Sequence, residues 1–147
     1  MKVYYDSSCI IALYLTEPQS ILIRAFVTGQ DKPLLLNDLQ ELEFKNGLRQ
    51  KVLRGEISDG DVARTLRVFE DDCVAGKVLR KEISWQAIFG KAEQISRRNS
   101  SKVVCRSFDL LHVAIASITR ATRFATLDVD QQKLAASAGL KVIELQA

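Results

Sequence analysis

The sequence predicts an α/β fold with a mainly parallel sheet. Three observations carry this. Short apolar, β-rich runs at 3–5, 34–36, 123–127 and 140–145 alternate with longer segments of helical periodicity. Three of these runs end on polar helix-starting residues: Asp6-Ser7-Ser8, Asn37-Asp38 and Asp128. No Gly-rich linker, internal repeat or low-complexity tract divides the 147 residues, so a single domain, 1–147, is expected. With 47% apolar residues the chain can bury a substantial core.

Taken in order, Val3 to Tyr5 reads as the first strand and Ser8 to Leu15 as a short helix. Pro18 suits the first turn of a second helix running to about Gly29. Pro33 to Leu36 is a buried strand, ended by the good N-cap pair Asn37-Asp38. The helix that follows runs to about Gly55. Leu39, Leu42, Asn46 and Leu53 fall on one side of it, and Phe44, Leu48 and Val52 on the other. Two apolar faces predict a helix sandwiched between neighbours, a sheet on one side and a helix or a second subunit on the other.

Ser58 with Asp61 three residues on forms the next start signal, and Val62, Leu66, Phe69 and Cys73 follow at helical spacing. Val78-Leu79 is a short strand candidate. Ser84 caps a helix whose core stripe is Trp85, Ile88, Phe89, Ala92 and Ile95, with a basic loop at 97–102 after it. Ser107 to about Arg120 is a helix apolar nearly all round, and therefore central. Its polar stripe is Asp109, His112 and Thr119. Residues 123–127 form a strand and 128–138 a helix. Gly139 is the stop, and 140–145 the last strand.

Composition excludes several classes. No apolar run reaches the ~18–20 residues of a membrane span, and the start Met1-Lys2-Val3 lacks a signal-peptide layout. A soluble, cytoplasmic protein is expected. Cys9, Cys73 and Cys105 form no C-x-x-C pair and sit in apolar surroundings, so they are expected as buried free thiols. One His and no clustered thiols argue against zinc. The net charge of +3 is unevenly spread: residues 1–44 carry an excess of acids and 45–147 an excess of cations. That division suits an acidic metal site beside a polyanion-binding surface, and equally an ordinary solvated exterior.

In an open α/β sheet, ligands bind beyond the carboxyl ends of the strands. Asp6 and Asp128 follow strands directly, and the helix carrying Glu43 starts just after one. Asp109 sits in the first turn of the central helix. Each has a structural reading. Asp6 and Asp128 can be N-caps, the latter in a capping box with Gln131. Asp109 complements a helix dipole, and Glu43 can be a surface acid. Together they suggest more, because like charges drawn within a few ångströms repel unless a cation stands between them. Oxygen-only donors select hard cations, Mg²⁺ or Mn²⁺, which activate phosphoryl groups and suit phosphodiester hydrolysis. His112, one turn beyond Asp109, reads as a buried histidine fixed by a hydrogen bond, with that aspartate a candidate partner, rather than as a general base.

Four stretches now resemble one family. V-Y-Y-D-S-S at 3–8, E-L-E-F-K-N-G-L at 41–48, C-R-S-F-D-L-L-H-V-A-I-A at 105–116 and A-T-L-D-V-D-Q-Q-K-L-A at 125–135 are similar to the PIN domain, specifically the small VapC-type toxins of toxin–antitoxin systems. The resemblance implies a three-layer α/β/α sandwich with a mainly parallel central sheet. It also implies an Mg²⁺- or Mn²⁺-dependent ribonuclease that forms a homodimer and is inhibited by a cognate antitoxin. Carried over by position, Asp6, Asp109 and Asp128 would be metal ligands, and Glu43 would complete the catalytic acids. Ser7 or Ser8 would support Asp6 or a water. Asp130 competes with Asp128 for the fourth acid. Arg49, Arg54, Arg97, Arg98 and Lys102 would hold RNA phosphates. Two rivals stay open. One is phosphoryl transfer through an aspartyl nucleophile, disfavoured because Ser8 stands where a second acid is needed. The other is a catalytically silent PIN-like module that binds RNA or protein.

Overall fold

The computed structural model describes residues 2–145. In chain order the first half contains β1 (Val3–Tyr5), α1 (Ser7–Tyr14), α2 (Ser20–Gly29), β2 (Leu34–Leu36), α3 (Asp38–Leu53) and α4 (Asp59–Val74). The second half contains β3 (Val78–Arg80), α5 (Trp85–Asn99), α6 (Ser107–Ile118), β4 (Arg123–Ala125), α7 (Val129–Ser137) and β5 (Lys141–Ile143). Every described strand pair is parallel, as the alternation of strands and helices requires. The class is α/β.

The chain divides into two compact units. The first joins the opening residues through Asp6 to the chain from Ile83 onward. Its sheet has the order β1-β4-β5. Phe124, Val113, Ala114, Ile115 and Leu134 are fully buried there, and α6 has seven consecutive buried residues, Leu110 to Ala116. That continuous burial is why α6 is apolar nearly all round. The second unit, Ser7–Glu82, pairs β2 with β3. Its core is built on Phe44, Phe69, Leu48 and Ile23, with the Phe44 and Phe69 rings 5.2 Å apart.

Several local expectations are refined. Asn37 and Ser58 each form a full capping box, with Gln40 and Asp61 as reciprocal partners. Arg97 and Arg98 belong to the last turn of α5 and not to a loop. Cations there complement the helix carbonyl end, and the buried Asn99 closes the helix by donating its amide to the Ile95 carbonyl at 2.8 Å. Phe89 leaves the core stripe: it is exposed, and its ring lies 6.0 Å from that of Trp85. Ile88, Ala92 and Ile95 occupy the true i, i+4, i+7 face, from which Phe89 is rotated by about 100°. On α3, Leu39, Gln40, Phe44 and Leu48 are buried, whereas Leu42 and Leu53 are exposed. Of the cysteines only Cys9 is fully buried; Cys73 and Cys105 are half-buried, and burial raises the pKa of both thiols. Among the described residues no helix is long and apolar enough to cross a membrane.

Candidate active site

The register of the first sheet predicts where its acidic end forms. Val3, Tyr4 and Tyr5 pair with Arg123, Phe124 and Ala125. One step further, Asp6 and Thr126 must be neighbours. The Asp6 amide extends the ladder to the Ala125 carbonyl at 3.0 Å. The Thr126 hydroxyl then donates to Asp6 Oδ2. Both side chains are buried, Asp6 at 6% exposure and Thr126 at 0%, so this bond is shielded from competing water.

Thr126 also ties Asp6 to Asp128. Its Oγ1 accepts the Asp128 backbone N–H at 3.1 Å. Asp128 is the N-cap of α7, its Oδ1 accepting the Gln131 N–H at 3.0 Å. The expected capping box is not completed in the usual way. Gln131 is fully buried and turns its amide to the Asp109 carbonyl instead, at 3.3 Å. Gln131 thus braces the first turn of α6 against the start of α7. Its Oε1 is buried with no hydrogen-bond partner in the structure.

Arg106 draws the remaining acids together. It occupies the N-cap position of α6 but makes no side-chain capping bond. Its Nε donates to Asp109 Oδ2 at 2.9 Å, and its Nη2 to Asp128 Oδ2 at 3.1 Å. Asp130 Oδ2 lies 3.8 Å from the same Nη2. Hydrogen bonding to Asp109, reinforced by the charges of Asp109 and Asp128, raises the Arg106 pKa further. Asp128 is therefore both a cap and a member of the acidic group; the two sequence readings are compatible. Asp130 stands farther from the shared guanidinium than Asp128 does.

Glu43 and Ser7 lie in the second unit, where the Ser7 hydroxyl donates to Glu43 Oε1 at 3.3 Å. Ser8 occupies the first turn of α1. His112 is buried, and its Nδ1 lies 2.8 Å from the Tyr4 hydroxyl. Tyr4 in turn stacks on Phe124 at 5.3 Å. The imidazole therefore fixes α6 to β1 one turn below Asp109. Two residues escaped sequence reasoning, Thr126 and Arg106, and Gln131 was expected only as the capping partner of Asp128. For Arg106 a signal existed, since an arginine stands where α6 calls for Ser, Thr, Asp or Asn.

Among the described residues, no three His, Cys, Asp or Glu side chains are set so as to hold one metal ion together. The donor chemistry of Asp6, Asp109 and Asp128 still suits a hard divalent cation, being all oxygen. A guanidinium serves as counter-cation for two of them in the conformation described.

Other cations are distributed unevenly. Arg54 is paired with Glu56 at 2.7 Å and Arg97 with Glu93 at 3.9 Å. Arg98, Lys102 and Lys91 line a cavity of about 340 Å³ in the first unit, with no acid in its walls.

No family model matches the chain, and no curated protein matches it. A solved structure of FitAcB from Neisseria gonorrhoeae does: the match covers 97% of this chain and 97% of that one, with a TM-score of 0.60 and 14% sequence identity. At that identity the likeness speaks to fold alone, and the fold of this chain is PIN-like.

Proposed function

We propose that this chain is an Mg²⁺- or Mn²⁺-dependent endoribonuclease, the toxin of a type II toxin–antitoxin pair. The observation that carries the reading is the linkage of Asp6, Thr126, Asp128, Arg106 and Asp109 at the carboxyl ends of β1 and β4. Ligand sites in parallel α/β sheets form at that edge, and the PIN-like fold agrees with it. Asp6, Asp109 and Asp128, all carried by the first unit, would hold the ion. When bound, such an ion polarises a phosphoryl oxygen and activates water for attack. The chain's own residues prepare for this. Thr126 fixes the rotamer of Asp6, and Gln131 fixes the Asp109 backbone. Exposed cations would hold the RNA backbone. The biological partners are a cognate antitoxin and a second copy of the chain, for which exposed Leu42 and Leu53 on α3 offer an apolar surface.

The test is cleavage of RNA with Mg²⁺ or Mn²⁺ by wild type, Asp6→Asn and Asp109→Asn, each shown to be folded by circular dichroism. Both variants are expected to lose activity by at least ~100-fold; full activity in either refutes the reading. The Arg106 ion pairs favour one second reading, a silent PIN-like module that binds RNA or protein without cutting. It requires RNA retention insensitive to chelator, with no cleavage products.

A further inference from the structure

Arg106 is placed against local preference. It stands at a helix N-terminus, where the dipole disfavours cations and where a short capping side chain is the norm. It makes no capping bond, so helix formation does not explain it. Its guanidinium instead bonds Asp109 on α6 and Asp128 at the start of α7, and approaches Asp130 within 3.8 Å. The side chain is about half exposed, at 55%, so solvent reaches the guanidinium and these ion pairs.

We propose that Arg106 is the built-in competitor of the divalent cation, and that it sets the cation affinity of this site. The inference rests on the metal-dependent reading above. With Arg106 docked, Oδ2 of both Asp109 and Asp128 is occupied by N–H donors. An ion that takes those oxygens must either displace the guanidinium or share them with it against the repulsion of two cations. The bonds to be given up are part-exposed ion pairs, which are individually weak, so displacement is feasible at millimolar cation and costs affinity without abolishing it. The chain thereby keeps its acids paired when divalent cations are scarce.

The experiment measures Mn²⁺ alone binding to the full chain by calorimetry, confirmed by the loss of free Mn²⁺ resonance signal. It compares wild type with Arg106→Gln and Arg106→Ser, the second supplying a good N-cap that protects folding. Both variants are expected to bind Mn²⁺ about tenfold more tightly than wild type, the order of magnitude of two weak ion pairs released. Arg106→Lys, which keeps charge but loses the two-pronged geometry, is expected between them and wild type. Equal affinity in wild type, Gln and Ser variants overturns the inference while leaving the metal-dependent reading standing. Absence of Mn²⁺ binding in every variant overturns that reading, and the inference with it.

Discussion

Thr126 is a small side chain with two obligations. It donates to the buried Asp6 carboxylate and accepts from the Asp128 amide. Valine has nearly its shape and neither capacity. Thr126→Val is expected to lower stability by about 1.5–3 kcal/mol, the range for a hydrogen bond to a charged group, and to reduce RNA cleavage at least tenfold. Thr126→Ser restores most of both. Chemical denaturation and initial rates check this, and wild-type values for the valine variant would show the bond to be dispensable. Asp128 permits a cleaner separation of roles. Asn caps a helix as well as Asp does, so Asp128→Asn is expected to change stability by less than about 0.5 kcal/mol while cleavage falls sharply. Asp128→Ala loses the cap too and costs about 1 kcal/mol more. An asparagine variant as active as wild type would leave Asp128 a cap and nothing else.

Among the elements, most helices and strands were legible because their signals are local. Asn37, Ser58 and Ser84 each accept the expected backbone N–H at their helix starts, and Gly139 adopts the left-handed φ of 91° that stops α7. The acidic edge was legible in part, since a strand followed by Asp marks the carboxyl end of a parallel sheet. What could not be read was pairwise geometry between distant segments: Thr126 with Asp6, Arg106 with Asp128, Tyr4 with His112. No periodicity encodes a bond between residues 6 and 126. Arg80 shows the same limit in the second unit. From the end of β3 it reaches Glu41 on α3 at 2.6 Å and Glu70 on α4 at 2.7 Å. Burial pushes the Glu41 carboxyl up, but bonds from Arg80 and Lys45 outweigh it and hold its pKa low. A depressed carboxyl stabilises the fold above its unfolded value, near ~4.3, and loses that contribution as pH falls through the folded one. Arg80→Ala is therefore expected to cost up to about 1 kcal/mol at pH 7, after discounting for solvent screening. The difference from wild type should shrink below about pH 4 and in high salt. A pH-independent difference would assign the loss to packing of Arg80 over the Phe69 ring, 5.5 Å away.

Across the whole molecule, the proposed activity requires opposite charges to do different work: acids to gather a cation, and cations to hold a polyanion. Many of the cations are already committed. Arg106 is held by the acidic edge, Arg80 by Glu41 and Glu70, and Arg54 by Glu56. A paired cation gains less from a phosphate, because the existing carboxylate must be given up. Arg98 and Lys102, beside a cavity without acids, carry no such obligation in the structure described. Binding of a non-cleavable single-stranded RNA, titrated across salt concentrations in the presence of Ca²⁺, separates the two groups. For single strands the logarithmic salt slope changes by about 0.7 for each phosphate that a cation no longer neutralises. The double variant Arg98→Gln, Lys102→Gln is expected to make the slope shallower by about 1.4, whereas Arg54→Gln should leave it within about 0.3 of wild type. An unchanged slope in the double variant would remove this surface from the RNA path. A large change in Arg54→Gln would show that ion pairing in the free protein does not decide which cations meet the backbone.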